Sequence, residues 1–533
     1  MRTIDTDVLV IGGGAAGMQA AFSASEAGRS VALVYKNGGN CTSVAGGGFA
    51  AFVPGTEGDS AEIYYENTMK SSCGLADENL VRIFIERSAA ALNLAISLGA
   101  ACMTNENGSL KRFRSGGHVV PRTFRCAEGK IGIMLRTMAQ RIVNAGVTLL
   151  SDYTIMQLLH DDTTVYGACG MDNEGKPLLI RAKSVVLATG GFAGIYKITT
   201  NPKAITGEGL EMAYEAGCTL KGLEFVQFLP TALVYPPEFA GKPISDPLRG
   251  AGAVLRNAAL ERFMPKYDPV NADIAGRDTV AAAIATEIAE GRGTPRGAVY
   301  IDARSLPPEK VLESCKGLGR YARNGLDATK VMLEVAPAAH FICGGIAIDE
   351  TCATGVKGLF AAGEICATIH GANRLGGSAL TETFIFGDIA GKSAAAFAGT
   401  TVAFRDVPND TYSKLIRDSL TIPQNGKGPN VLHSEVKSLF WNALGVVRAE
   451  QPLAQAEKRF RDIADEVLRE PYSKFSFGEN LQRELLAKIA KLGSKVAKAA
   501  RLRCESRGVH QRSDFRARSD NGAQHILFHK SAE

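Results

Sequence analysis

The sequence contains no Cys-x-x-Cys pair and no apolar run approaching the ~20 residues that a membrane-spanning helix needs. Its eleven cysteines are scattered at irregular spacings. The densest three, Cys343, Cys352 and Cys366, match neither a zinc site nor an iron–sulfur run. An odd, irregular set also argues against a disulfide framework, so a reducing compartment is expected. Charge of one sign is lacking too. Sixty basic and 55 acidic residues leave +5, which is too balanced for a nucleic-acid binder, although a mildly positive protein attracts small anions. The chain opens MRTIDTDVLVIGGG, without a basic-then-apolar leader or a twin-arginine motif. That predicts a cytoplasmic protein, one that reaches the inner face of a membrane only through partner subunits. The locally basic stretch after Leu486 reads as a solvated or subunit-facing surface.

What is present is glycine, 58 of them, gathered in short motifs rather than in a repeat. A chain of 533 residues is too long for one core and predicts two to four domains. Residues 7–11 (DVLVI) read as a buried strand, followed by Gly12-x-Gly14-x-x-Gly17, an Ala-rich helix to Gly28 and a second strand at residues 30–34. In such a unit Gly12 makes the tight turn, Gly14 admits a pyrophosphate, and Gly17 lets helix pack on strand. Ala15 and Ala16 open the helix whose N-terminus faces the negative charge. The acidic residue expected for a ribose is missing, because Tyr35-Lys36 ends the second strand.

Three later segments say which dinucleotide. Gly46-Gly47-Gly48 admits a flat ring or phosphate to the backbone. Ala188-Thr189-Gly190 ends a further buried strand. Ala361-Ala362-Gly363-Glu364 ends a late strand with a carboxylate able to reach a ribityl hydroxyl. A cofactor touched at such distant points is long and lies across a split domain, which favours FAD. Residues from about 224 to 333 carry more proline and polar turns and read as an insertion. Helical patterns at residues 434–443, 454–469 and 479–503 read as a C-terminal helical domain.

The sequence resembles the flavoprotein subunits of fumarate reductase and succinate dehydrogenase, together with L-aspartate oxidase. The matching segments are TGEG from Thr206, FVQF from Phe225, RGAG from Arg249, GRD from Gly276, AHF from Ala339, HGANRLGG from His370 and ESRGVHQRSD from Glu505. They cover nearly the whole chain in order. The resemblance implies an α/β fold: a split Rossmann-type FAD-binding domain (residues 1–225 and 341–400), an inserted α+β capping domain (226–340) and a C-terminal helical domain (401–533). It adds Lys36, Ser43, Glu208, His370, Ala379 and Leu380 to the expected FAD contacts. It implies Arg374 and His340 as the carboxylate clamp, Arg277 as proton donor, and Asp246 with Arg249 as its relay. Each has a structural alternative. Arg374 could bind backbone carbonyls, and His340 could be a core histidine. Arg277 could pair with Asp278 at a helix start, and Asp246 with Arg249 could form a loop ion pair. Arg507, His510 and Arg512 are expected to organise the C-terminal domain rather than to touch substrate.

Two positions depart from the family pattern. Cys41 stands where the family often has the histidine that carries FAD covalently, so FAD bound without a histidyl link is expected, with a cysteinyl link at Cys41 as the alternative. Leu229 replaces the carboxylate-binding histidine of the QFHPT run, here Gln227 to Thr231. Leucine can donate no hydrogen bond. Thr231 and Ser245 remain as polar groups of that end, or the substrate carries an apolar group there. The expected activity is hydride transfer between FAD and an enoate/saturated carboxylate pair, fumarate and succinate leading, with electrons exchanged with an iron–sulfur partner. The alternative is a stand-alone oxidase like L-aspartate oxidase, or an electron-transfer subunit with an altered substrate site. No metal site is expected in this chain.

Overall fold

Val8, Leu9, Val10 and Ile11 are all buried, as a central parallel strand covered on both faces requires. They end β1 (Arg2–Ile11), which starts earlier than the apolar run because its pairing extends back to Arg2↔Leu178. The computed structural model describes residues 2–46, 48–127, 130–244, 246–315, 317–407, 429–469 and 477–530. Gly47 and Ser245 lie outside the described residues. Helix α1 (Ala15–Glu26) returns the chain to β2 (Val31–Tyr35), parallel to β1. β3 (Thr148–Ser151), β4 (Tyr153–His160), β5 (Val165–Asp172) and β6 (Pro177–Leu187) extend this into one sheet of order β3-β2-β1-β6-β5-β4. The four strands on the β3 side pair in parallel, and β4, β5 and β6 pair antiparallel.

The inserted segment forms a second sheet of β7 (Val226–Leu233), β8 (Val254–Arg256), β9 (Val299–Asp302) and β10 (Leu333–Ile342), all antiparallel in the order β7-β10-β9-β8. Helix α2 (Arg277–Ala289) packs on it. This unit has its own core, with Ile244, Leu255, Val280, Ile284, Val299 and Val335 among its members. The chain then returns to the first sheet through β11 (Leu359–Ala361), which pairs in parallel with the end of β6. Helix α3 (Ser378–Thr400) follows and packs along α1. The two approach so closely that a Cβ at Gly391 would lie 2.2 Å from the Ala20 carbonyl oxygen.

The C-terminal part is helical: α4 (Pro429–Ala443), α5 (Glu450–Arg469) and α6 (Phe477–Leu502). Leu453, Ala456, Phe460, Ile463 and Val467 recur at helical spacing on α5 and are buried in the main core. Each of the larger four, Leu453, Phe460, Ile463 and Val467, contributes roughly 1.5–3 kcal/mol. Lys488 and Lys495 of α6 tie it to Glu215 and Glu211. All eleven cysteines are free. Among the described residues no helix is long and apolar enough to cross a membrane, and no cluster of three or more His, Cys, Asp or Glu could hold a metal ion.

Candidate active site

The first part of the site is a cradle at the edge of the first sheet. Gly12 adopts φ +125°, and a Cβ there would meet the Ala188 carbonyl at 2.2 Å. A Cβ at Gly17 would meet the Gly12 carbonyl at 1.9 Å. Both positions therefore require glycine. Gly14 differs: its side meets nothing nearer than Thr42 Oγ1 at 3.7 Å, which leaves the start of α1 open. Ala15 and Ala16 begin that helix; the Ala15 N–H donates to Thr42 Oγ1 at 3.2 Å, and no acid in the first turn opposes a phosphate at the terminus.

Several polar groups around the cradle lack partners among the described residues. The hydroxyls of Thr123 and Thr189 are buried without hydrogen bonds. Burial raises the Glu364 carboxyl to about 7, and among the described residues only the Ile342 N–H, at 3.0 Å, and the Cys41 thiol are bonded to it. Burial, and then the neighbouring Glu364, push the Cys41 thiol well up, so it is held protonated. These groups fit a long polyhydroxylated cofactor, and the Cys41 thiol is not activated as an attachment point.

The other expected cofactor residues fall as follows. Gly46 has open space beside it, and Gly48 starts the strand Gly48–Ala50. Ser43 lies in the turn Cys41–Val44 capped by Asn40. Gly190, at φ +79°, follows Ala188 and Thr189 after β6. Ala379 and Leu380 open α3. Lys36 and Glu208 form an ion pair, and Thr206 also donates to Glu208 at 2.7 Å. Burial resists ionisation of Glu208, but Lys36 outweighs it and keeps the carboxyl below its usual range. A carboxylate thus stands at the end of β2 after all, delivered by a distant segment. His370 Nε2 is 2.8 Å from Glu382 Oε2, and its ring packs edge-on to Phe341.

Above the cradle lie the groups expected to act on substrate. Arg277 starts α2 and turns its guanidinium to Asp246, with Nε to Oδ2 at 2.7 Å. Arg249 Nη2 holds the other oxygen at 2.8 Å. Burial opposes the charge on Asp246, yet the two arginines more than offset it, and the carboxyl lies well below the usual range. Arg249 is itself fixed by the Asp273 carbonyl. Arg374 donates from Nε to Gln227 Oε1 at 3.2 Å, and Gln227 returns a bond to the Arg374 carbonyl at 3.0 Å. Its guanidinium carbon lies 4.4 Å from the Phe341 ring centre, a stacked cation–π contact. Both Nη groups have no protein acceptor among the described residues, so they point a planar fork at whatever fills the site.

His340, the bulged residue of β10, sits with Nδ1 2.7 Å from the Thr200 hydroxyl. Burial, then the charges of Arg374 and Arg277, hold its pKa well below the ordinary value. The imidazole is neutral at pH 7. Leu229 is 4% exposed and shares a strand face with Gln227. The Thr231 hydroxyl is bonded to the Ile244 carbonyl at 2.7 Å.

The structure therefore brings Asp246, Arg249, Arg277, His340 and Arg374 into one electrostatic neighbourhood. Thr200, Gln227 and Phe341 support them. Of these three, Gln227 and Phe341 sit inside family-like runs, while Thr200 carries no sequence signal. The run from Glu505 buttresses the segment just before Arg374 from outside. Val509 donates to the Ala372 carbonyl at 2.9 Å, and Arg507 donates to Cys73 at 2.7 Å. His510 meets Arg448 at 2.9 Å and Arg512 meets Asp514 at 2.7 Å. His510 and Arg512 serve the C-terminal packing, while Arg507 also ties it to the segment at Cys73.

Comparison with known proteins agrees in both halves of the chain. The FAD binding domain family model matches residues 7–380, and the fumarate reductase flavoprotein C-terminal model matches residues 433–533. One subunit of the fumarate reductase (CoM/CoB) of Methanothermobacter marburgensis is 35% identical, covering 99% of this chain and 98% of that one. An L-aspartate oxidase of Pseudomonas aeruginosa is 33% identical, covering 96% and 95%. Among solved structures, the FrdA chain of E. coli quinol fumarate reductase superposes with a TM-score of 0.90 at 29% identity, covering all of this chain and 95% of that one.

Proposed function

The chain belongs to the family of fumarate reductase-type flavoproteins, FAD-dependent oxidoreductases with L-aspartate oxidase relatives, and from that membership we propose that it interconverts an enoate and its saturated acid, with fumarate and succinate the leading pair. Bound FAD supplies the two-electron chemistry. The cradle residues Gly12, Gly14, Gly17, Thr189 and Glu364 would hold it.

The observation that carries this reading is the chain Arg277–Asp246–Arg249 beside the open fork of Arg374. Arg374 grips a carboxylate and draws charge toward it, which polarises the adjoining double bond. Neutral His340 adds a hydrogen bond. Arg277 delivers the proton to the alkene carbon. Arginine is a weak acid in water, so that role needs a proton return path, and the ionised Asp246 bridging to Arg249 provides one. The same groups take the proton back in succinate oxidation. No cluster or haem motif lies in the chain, so electrons pass to an iron–sulfur partner subunit, at the inner face of a membrane or in the cytoplasm.

A second reading rests on the 33% identical L-aspartate oxidase: a stand-alone oxidase that passes electrons to oxygen. One experiment separates them. Purified holoenzyme is assayed for fumarate reduction with a reduced dye, for succinate oxidation with an oxidised dye, and for peroxide release with L-aspartate. Turnover of fumarate without aspartate oxidation supports the first reading; the reverse result replaces it with the second.

A further inference from the structure

We infer that Arg125 is a second carboxylate anchor, so that the substrate is a dianion held at one end by Arg374 and at the other by Arg125. This deepens the reading of the site above and rests on it.

Arg125 ends the strand Thr123–Arg125, which pairs with Gly48–Ala50 in the register Gly48↔Arg125. It therefore stands beside the glycine segment of the cradle. Its guanidinium carbon lies 4.6 Å from the centre of the Phe113 ring, and that ring lies on the neighbouring strand Arg112–Phe113. The hairpin joining these strands is wedged into the active site. At Gly116 a Cβ would come within 3.1 Å of Arg277 Nε. The Gly116 carbonyl accepts from Gly376, just beyond Arg374, at 3.0 Å, and His118 Nε2 meets the Gly376 carbonyl at 2.7 Å. One hairpin thus ties Arg125, Arg277 and Arg374 together.

The charge count points the same way. Among the described residues Asp246 is the only carboxylate hydrogen-bonded to Arg125, Arg249, Arg277 or Arg374. It bonds to Arg249 and Arg277 alone. The side chain of Arg125 has no hydrogen-bond acceptor among the described residues. Burial lowers its pKa, with Asp246 and Arg277 both acting on it, while Arg277 also acts on Arg374. Arg277 thus lies within electrostatic reach of both Arg125 and Arg374. A partly buried, unpaired guanidinium is costly unless a ligand completes it. Leu229 withdraws a donor from the cap side of the site, and Arg125 restores one from the cradle side. The consequence is a dicarboxylate that keeps two anchors although one conventional anchor is leucine.

The test uses the holoenzyme and its Arg125→Leu and Arg125→Lys variants. Each is titrated with malonate, an unreactive dicarboxylate, and with propionate, reading the flavin absorbance change. Arg125→Leu is expected to weaken malonate about 100-fold and propionate far less. Arg125→Lys should recover part of the loss, as should Leu229→His added to Arg125→Leu. Equal weakening of both acids, or no weakening of malonate, overturns the inference alone, because a purely structural arginine would not distinguish them. A wild-type enzyme that answers to neither acid overturns the reading of the site and this inference with it.

Discussion

Arg277 donates from Nε to Oδ2 of Asp246 across 2.7 Å, which ties α2 to the short helix Asp246–Gly250. Asp246 is held ionised by its two arginines, so it stands as a carboxylate hydrogen-bonded to Arg277, placed to hand a proton back to it. Arg277→Ala should therefore lower kcat by about 10²–10⁴, with a smaller effect on KM. Asp246→Asn keeps a hydrogen-bonding side chain but loses the charge, and should slow turnover while leaving substrate KM near wild type. Steady-state assays with a reduced dye measure both. Full turnover in Arg277→Ala would remove the proton-transfer assignment.

Arg374→Lys should act on binding instead. Lysine offers a point charge, cannot stack flat on Phe341 at 4.4 Å, and cannot both hold Gln227 and present a fork. A loss of about 2–3 kcal/mol is expected, seen as a KM rise of tens-fold or more. Because His340 is neutral at pH 7, carboxylate affinity should stay flat as pH rises through 6.5. A fall there would mean that the imidazolium carries the binding.

The cradle makes a prediction about attachment. The Cys41 thiol is half-buried, faces Glu364 and is held protonated, which makes it a poor nucleophile. Acid precipitation should release all flavin into the supernatant, and Cys41→Ser should keep flavin content and spectrum unchanged. Flavin retained in the washed pellet would contradict this.

Glu364 sets a pH dependence in the flavin-free chain. Its carboxyl lies at about 7 folded against an ordinary 4.5. The folded state then binds a proton that the unfolded state has lost, so stability falls as pH rises from 4.5 to 7 and is level above that. The difference amounts to about 3 kcal/mol. Glu364→Gln removes it. Urea midpoints of the apoprotein should show the variant gaining on wild type from pH 5 to pH 8. Parallel curves would place the titration elsewhere.

Local features were legible in the sequence; of the pairings, only those that the resemblance implied, Arg277 and Arg249 with Asp246, were. The run from Val8 to Ile11 and the Gly12-to-Gly17 spacing report strand, turn and helix directly, because each depends on neighbours in sequence. The strands β4 and β5 do not announce themselves, since short apolar runs fit several structures. Asp278 follows Arg277, so a local ion pair was a natural alternative. Adjacent residues on a helix do not face each other, and Arg277 reaches Asp246 instead. The Cys41–Glu364 contact and the Lys36–Glu208 pair join segments far apart in the chain. Arg125 ends a three-residue strand without a motif. None of these could be found without the fold.

The join between the C-terminal helices and the site predicts an asymmetry. Arg503 donates to Glu224 at 2.6 Å, and the two side chains are 3% and 0% exposed. Glu224 lies three residues before Gln227, which positions Arg374. Arg503 has other partners: Glu505 at 2.8 Å and the carbonyls of Gly522 and Gln524 at 2.8 and 2.7 Å. Among the described residues Glu224 has no second side-chain partner, and its Oε2 is already unsatisfied. Arg503→Leu therefore strands a buried carboxylate and should cost about 3–5 kcal/mol. Glu224→Leu leaves Arg503 bonded and should cost less. The double variant should be more stable than Arg503→Leu alone, because it removes the stranded charge. Urea midpoints decide it, and a double variant no better than the single would show that Arg503's other bonds, rather than the desolvated pair, hold the two parts together.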